Sequence, residues 1–195
     1  MLVIAVIILL LYLFLIGKFA FAIDKVTVFK LNDSPAKTTF TVIIPFRNEA
    51  ENLPALLNSI AELNYQNSLF EIILVNDDSE DISKEIVSKF MSTSALDITL
   101  IENERQSNSP KKDAISSAIK ISKYDWIITT DADCVLPKYW LDSLDVFVQQ
   151  NDVKMVVGPV TYHQVNGFLK HFQLIDFLSL TGSTIAGFGI GKPFL

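Results

Sequence analysis

From Thr39 onward the chain repeats one pattern: a short apolar run rich in β-branched residues, a polar or acidic cluster, then apolar residues at helical spacing. This alternation constrains the fold more than any other feature. A strand buried on both faces reads as a continuous apolar run, and it needs helices to cover it. Such runs occupy residues 40–44, closed by Pro45, and then residues 71–75, 98–101, 126–130 and 155–157. Between them, helical faces are expected on Leu53, Leu56, Leu57 and Ile60, then on Ile82, Ile86, Val87 and Phe90. Ala114, Ile115, Ala118 and Ile119 mark a third face, and Leu141, Leu144, Phe147 and Val148 a fourth. Asn48 with Glu51 three residues on reads as a capping box for the first helix, and Pro137 sits where the first turn of the last begins. The order β-α-β-α-β-α-β-α-β predicts an α/β fold, a mostly parallel sheet with helices on both faces.

The polar clusters that end these runs carry the chemistry. Asp131-Ala132-Asp133 follows the fourth run and Asn76-Asp77-Asp78-Ser79 the second. Carboxylates that finish buried strands lie at the carboxyl edge of the sheet, where open α/β folds bind ligands. Two carboxylates without a nearby histidine suit a hard divalent cation, Mg²⁺ or Mn²⁺, with phosphate as the remaining ligand. The single cysteine, Cys134, excludes an internal disulfide and a several-cysteine zinc site, and suits a reducing compartment. A net charge of −6 argues against nucleic acid held on a broad basic face. With 50% apolar residues the chain can bury a real core.

The N-terminus follows another rule. Residues 2–16 are an unbroken apolar run, interrupted by Lys18 and prolonged by Phe19-Ala20-Phe21-Ala22-Ile23. That is enough to cross a bilayer as a helix. Ala20-Phe21-Ala22 imitates a cleavage site, which would make the segment a signal peptide. No basic residue precedes the run, however, and Lys18, Lys25 and Lys30 all follow its core. The expectation is an uncleaved single-pass anchor over residues 1–23 in the cell membrane, with the remainder in the cytoplasm. Residues 24–38 read as a linker, and residues 39–195 as the folded domain. Residues 168–195 are apolar but punctuated by Lys170, His171 and Asp176, which suits an interfacial or substrate-facing helix.

Other motifs fail. Gly187-Phe188-Gly189-Ile190-Gly191-Lys192 lacks the spacing of a phosphate-binding P-loop, and no G-x-G-x-x-G follows the first strand. His163 and His171 join no serine–carboxylate arrangement and read as surface or packed residues. Each remaining motif also has a plain alternative. Asp78 and Ser79 could cap the following helix. Asp131 and Asp133 could be solvated turn residues, and Lys111-Lys112 a solvated pair. Arg47 and Glu49 could form a surface ion pair, and Cys134 could simply pack.

Taken in order, Pro45-Phe46-Arg47-Asn48-Glu49, Asn76-Asp77-Asp78-Ser79, Lys111-Lys112 and Asp131-Ala132-Asp133 resemble the family 2 inverting glycosyltransferases, which have the GT-A fold, over about residues 39–195. The resemblance implies a membrane-anchored hexosyltransferase that takes a sugar from a nucleotide-diphosphate donor, UDP-linked by preference, to a lipid or polysaccharide acceptor. It places Pro45 at the start of the first nucleotide loop and Glu49 near the diphosphate. It implies Asp78 as acceptor for the uracil ring with Asp77 supporting, and Lys111 or Lys112 beside the diphosphate. Asp133 would coordinate the metal, and Asp131 would contact ribose or a metal-bound water. The family's general base lies downstream of a segment similar to Gly191-Lys192-Pro193-Phe194-Leu195, which puts it beyond Leu195. The expectation is therefore a fragment of a longer enzyme, or a short form that binds donor without transferring it. A nucleotidyltransferase on a similar sheet is the remaining alternative, and its glycine-rich basic signature is lacking.

Overall fold

A computed structural model describes residues 1–162 and 165–192. His163 and the end of the last glycine-containing segment, Pro193, Phe194 and Leu195, lie outside the described residues. In chain order the elements are α1 (Leu2–Ile23), β1 (Phe40–Phe46), α2 (Leu53–Ala61), β2 (Phe70–Asn76), α3 (Ser83–Thr93), β3 (Ile98–Glu102), α4 (Pro110–Ile119), β4 (Trp126–Thr129), α5 (Trp140–Gln150) and α6 (Phe168–Gly189). They fall into two compact units, residues 31–154, and residues 1–30 together with the segment from Met155 onward.

The unit of residues 31–154 is built on a four-stranded parallel sheet in the order β3-β2-β1-β4. Alternation along each strand sorts the core into two layers. Phe40, Val42, Ile44 and Phe46 of β1, with Phe70, Ile72 and Leu74 of β2, face α2, α3 and α5 through Leu53, Leu56, Leu57, Ile60, Val87 and Leu141. Ile43, Ile73 and Val75 face the other way, onto Ala114 and Ala118 of α4. The small alanines let α4 lie close to the sheet. Both faces are thus covered, which is why these strands read as continuous apolar runs. Each fully buried Leu or Ile contributes about 1.5–3 kcal/mol of hydrophobic stabilisation.

Several boundaries differ from the sequence expectation. β1 runs through Pro45 to Phe46. Its ladder to β4 stops at Ile43, so beyond that point no β4 acceptor waits for the N–H that Pro45 lacks. Helix α2 starts at Leu53 with Asn52 as N-cap, not at Asn48. Asn48 instead adopts φ 54, a left-handed conformation that asparagine tolerates better than most residues. Residues 155–157 form no strand. The run is only three residues long, and Met155 and Val157 are exposed. Helix α5 begins at Trp140, after a turn in which Trp140 N–H donates to the Pro137 carbonyl at 2.9 Å.

The end of the linker is fastened to this unit. Buried Asp145 accepts from the backbone N–H of Thr38 at 2.9 Å and Lys37 at 3.3 Å, and Tyr65 donates to the Thr38 carbonyl at 2.7 Å. In the other unit α1 packs against α6, and a Cβ at Gly189 would overlap the Ala22 carbonyl oxygen. Glycine is required at that crossing. Among the described helices only α1 is long and apolar enough to cross a membrane. Helix α6 is a single 22-residue helix that absorbs Gly187 and Gly189, and its His171 Nδ1 lies 2.8 Å from the Gly167 carbonyl oxygen.

Candidate functional site

All four strands point the same way, so the loops after Phe46, Asn76, Glu102 and Thr129 gather at one edge. The chain steps outward from β1 to β2 to β3 and then returns to the far side of β1 for β4. The switch point therefore falls between β1 and β4, where open α/β sheets leave a crevice for ligand. Pro45, Glu49, Asp131 and Asp133 lie on or directly after these two strands.

Three of the four loops are laced together. Asn48 N–H donates to Ser79 Oγ at 3.0 Å, and Asn48 Oδ1 accepts from Glu80 N–H at 2.8 Å. Glu49 N–H donates to Ser83 Oγ at 2.8 Å and Ala50 N–H to Asp81 at 3.1 Å. Asn76 bridges onward, its Oδ1 accepting from Ser79 N–H and its Nδ2 donating to Glu102 at 2.7 Å. Ser79 and Asp78 do not cap α3. The N-cap is Ile82; Asp81 just before it accepts from Ser83 N–H at 3.0 Å, and this bonding with Ser83 lowers its carboxyl below the usual value. Arg47 lies 3.9 Å from Glu80 rather than beside Glu49, whose carboxylate accepts from Asn52 at 2.7 Å.

Asp77 is buried and tightly held. Arg105 donates from Nε to Oδ1 at 2.8 Å and from Nη2 to Oδ2 at 3.0 Å, and Asn103 adds a bond to Oδ1 at 2.6 Å. The Arg105 fork, more than the Asn103 bond, holds the Asp77 carboxyl below its ordinary value. Asp78, next along, is exposed and takes φ 62. The loop carrying Arg105 is itself set by Asp113. That carboxylate accepts from Ser107 N–H at 2.8 Å, Ser107 Oγ at 2.9 Å and Gln106 N–H at 3.0 Å, and these bonds lower its pKa. Sequence reasoning missed Arg105, Asn103 and Asp113. The one available signal was a lone arginine in the polar loop after the third strand.

The turn after β4 is different. Ala132 is buried while Asp131 and Asp133 on either side are exposed, so the pair is presented outward from an anchored turn. Lys111, in the first turn of α4, forms an ion pair with Asp131. The structure thus joins two motifs that lie 20 residues apart in the chain. Lys112 is exposed and acts on Asp113 only through its charge. The only polar neighbour recorded for the Asp133 carboxylate among the described residues is the thiol of Cys134, at 3.8 Å. No group of three or more His, Cys, Asp or Glu among the described residues is placed to share an ion. The donors present still suit Mg²⁺ or Mn²⁺, because Asp131 and Asp133 offer hard oxygens. These ions are commonly held by one or two carboxylates, with phosphate and water completing the shell.

A parallel sheet with acidic loops gathered beside its switch point defines a GT-A-like α/β protein. Comparison with known proteins agrees: residues 41–189 match the family described as Glycosyl transferase family 2, and the chain belongs to that family. It is similar to glycosyltransferase AglE of Haloferax volcanii, with 31% identity over 65% of this chain and 41% of the relative. It is also similar to poly-beta-1,6-N-acetyl-D-glucosamine synthase of Staphylococcus aureus, 25% identical over 89% of this chain and 43% of the relative. Among solved structures, the mannosyltransferase PcManGT from Pyrobaculum calidifontis in complex with GDP-Man and Mn²⁺ matches with TM-score 0.56 and 25% identity, covering 66% of this chain and 38% of that one. S. aureus TarS in complex with UDP-GlcNAc matches with TM-score 0.52 and 27% identity, covering 58% and 32%. The chain spans well under half the length of the curated relatives it matches.

Proposed function

We propose that this chain forms the donor-binding part of a glycosyltransferase that moves a sugar from a nucleotide-diphosphate sugar to a lipid or saccharide acceptor, with inversion. The observation that carries the proposal is the outward-facing pair Asp131 and Asp133 beside the switch point, with Lys111 drawn onto Asp131, in a family 2 chain. UDP is the favoured nucleotide. A relative crystallised with UDP-GlcNAc supports that choice, and one crystallised with GDP-Man and Mn²⁺ keeps the guanine nucleotide as the alternative to test.

In this reading the loops after β1 and β2 receive the nucleoside. Pro45 and Glu49 flank it on the diphosphate side, Asp78 accepts from the base, and Asp77 supports that loop through its clasp with Arg105. Asp133 is the principal metal ligand, and Asp131 assists it or contacts ribose. A divalent ion bound there would neutralise negative charge developing on the departing nucleoside diphosphate. Lys111 and Lys112 add positive charge on the same side, each as a point charge on a flexible stem. No described residue is assigned as the base that deprotonates the acceptor. Helix α1 is proposed to cross the membrane, with residues 31–154 on the cytoplasmic side.

The test is product analysis. The glycosyltransferase that carries this donor-binding part is incubated with UDP-GlcNAc, GDP-Man and Mn²⁺, with membrane lipid extract or oligosaccharide as acceptor, and the anomeric signals are followed by NMR. Nucleoside diphosphate release with a product of inverted anomeric configuration is expected. Retention of configuration, or pyrophosphate release from nucleoside triphosphates in place of sugar transfer, would overturn the reading.

A further inference from the structure

Two lysines of the membrane-proximal unit have no role in the donor site. Lys18 and Lys25 stand seven residues apart, so they share one side of α1 and its first following turn, about 10 Å apart along the axis. With Phe14, Gly17, Phe21 and Ala22 from the same side, and Ile190 from just past α6, they line an open groove of about 490 Å³. The walls are apolar, and among the described residues that line it the only charged groups are the two ammoniums. Neither lysine pairs with a carboxylate among the described residues. Nothing lies within 4 Å of the position a Cβ would take on Gly17, so the floor is open there and not filled by neighbouring chain.

The groove has a direction. Its Phe14 end lies in the uncharged run of residues 2–16, and its Lys25 end lies past the last turn of α1. An occupant must therefore be apolar at one end and anionic at the other. A free phosphate would use the lysines and leave Phe14, Gly17 and Phe21 without a partner. A second apolar helix would leave both ammoniums unpaired. Charge and apolar complementarity together select an amphiphile with an anionic head.

We propose that this groove binds one anionic phospholipid, its phosphate between Lys18 and Lys25 and an acyl chain along Gly17 and Phe14. The proposal rests on the reading that α1 lies in a membrane. Basic residues in the last turns of a spanning helix, as Lys18 is, and just beyond it, as Lys25 is, attract anionic lipid, with each lysine contributing about fivefold in affinity.

The test uses the full chain in detergent micelles, with phosphatidylglycerol and phosphatidylcholine of identical acyl chains added in equal amounts and bound lipid counted by native mass spectrometry. Retention of one phosphatidylglycerol, in preference by about tenfold or more, is expected for the wild type. The double variant Lys18→Gln/Lys25→Gln should lose that preference while keeping its UDP binding, which reports that it is folded. Gly17→Leu, which fills the open floor, should lower retention of both lipids. Equal retention of the two lipids by the wild type, or undiminished phosphatidylglycerol on the double variant, overturns the proposal. So does displacement of the lipid by millimolar inorganic phosphate, or a dimer whose formation excludes lipid. Flotation with phosphatidylcholine vesicles separates the two readings. A chain that floats but shows no anionic preference removes only the lipid site, whereas a chain that does not float removes the membrane reading as well.

Discussion

The loops after β1, β2 and β3 and the turn after β4 share one sheet edge, yet they treat their polar groups in opposite ways. In the first three, side chain and backbone satisfy each other: Asn48 with Ser79 and Glu80, Asp81 with Ala50 and Ser83, Asp77 with Arg105 and Asn103. After β4, Asp131 is met by one exposed lysine, and among the described residues Asp133 meets only the weakly donating thiol beside it. The first arrangement fixes a shape in advance. The second leaves charge to be completed by something that arrives. A nucleotide-sugar site needs both, a rigid cradle for the base and a place where a cation and phosphates can assemble.

If that division is right, substitutions on the two sides should fail differently. The largest effect is expected at the open end. Asp133→Ala should weaken Mn²⁺-dependent UDP binding by about 100-fold or more, because a hard-cation site with so few protein ligands cannot spare one. Its melting temperature should stay close to wild type, since the carboxylate is exposed and, among the described residues, meets only the weak Cys134 thiol. Equal loss of stability and binding would break the comparison.

Arg105→Ala should do the reverse. It leaves a buried carboxylate with only Asn103, and a loss of about 1–2 kcal/mol in urea unfolding is expected, discounted for the partly exposed guanidinium. The same pair sharpens the comparison through pH. The Arg105 bonds, then the Asn103 bond, hold the folded Asp77 pKa below its unfolded value near 4. The stability this contributes is fully present above about pH 4 and disappears as pH falls through the lowered folded value. In Arg105→Ala the main lowering cause is gone, so acid unfolding followed by circular dichroism should begin at higher pH than in the wild type. An unchanged acid limb would show that the clasp does not form.

The smallest effect separates shape from contact within the cradle. Asp78 sits at φ 62, so Asp78→Gly should stabilise the fold by about 0.5–1 kcal/mol in thermal denaturation. If its carboxylate also accepts from the base, UDP binding should weaken in the same variant by several-fold. Stabilisation without weaker binding would transfer the base contact to Asp77.

Much of the sheet was legible because its burial is two-sided. Residues such as Ile43 and Ile44 must both be apolar when one faces α4 and the other faces α2, α3 and α5, and that leaves a mark in the sequence. The place of Asp131 and Asp133 at the sheet edge was legible as well, since they end such a run. The lacing of the loops was not. Asn48 with Glu51 carries the residue types of a capping box, and the same asparagine suits a left-handed turn; only the position of Ser79 and Glu80 decides between them. Arg105 and Asp77 are 28 residues apart, and nothing periodic links them. The run of residues 155–157 has strand composition, but burial requires a neighbour, and sequence pattern alone could not show that Met155 and Val157 would be exposed.

The most direct measurement is calorimetric titration of UDP into the folded chain, once with Mn²⁺ and once with a chelator. The account predicts saturable heat with Mn²⁺ and little or none with the chelator, with the Mn²⁺-dependent heat lost in Asp133→Ala and largely kept in Arg105→Ala. Binding of equal strength with and without the metal, or full binding by Asp133→Ala, would contradict it.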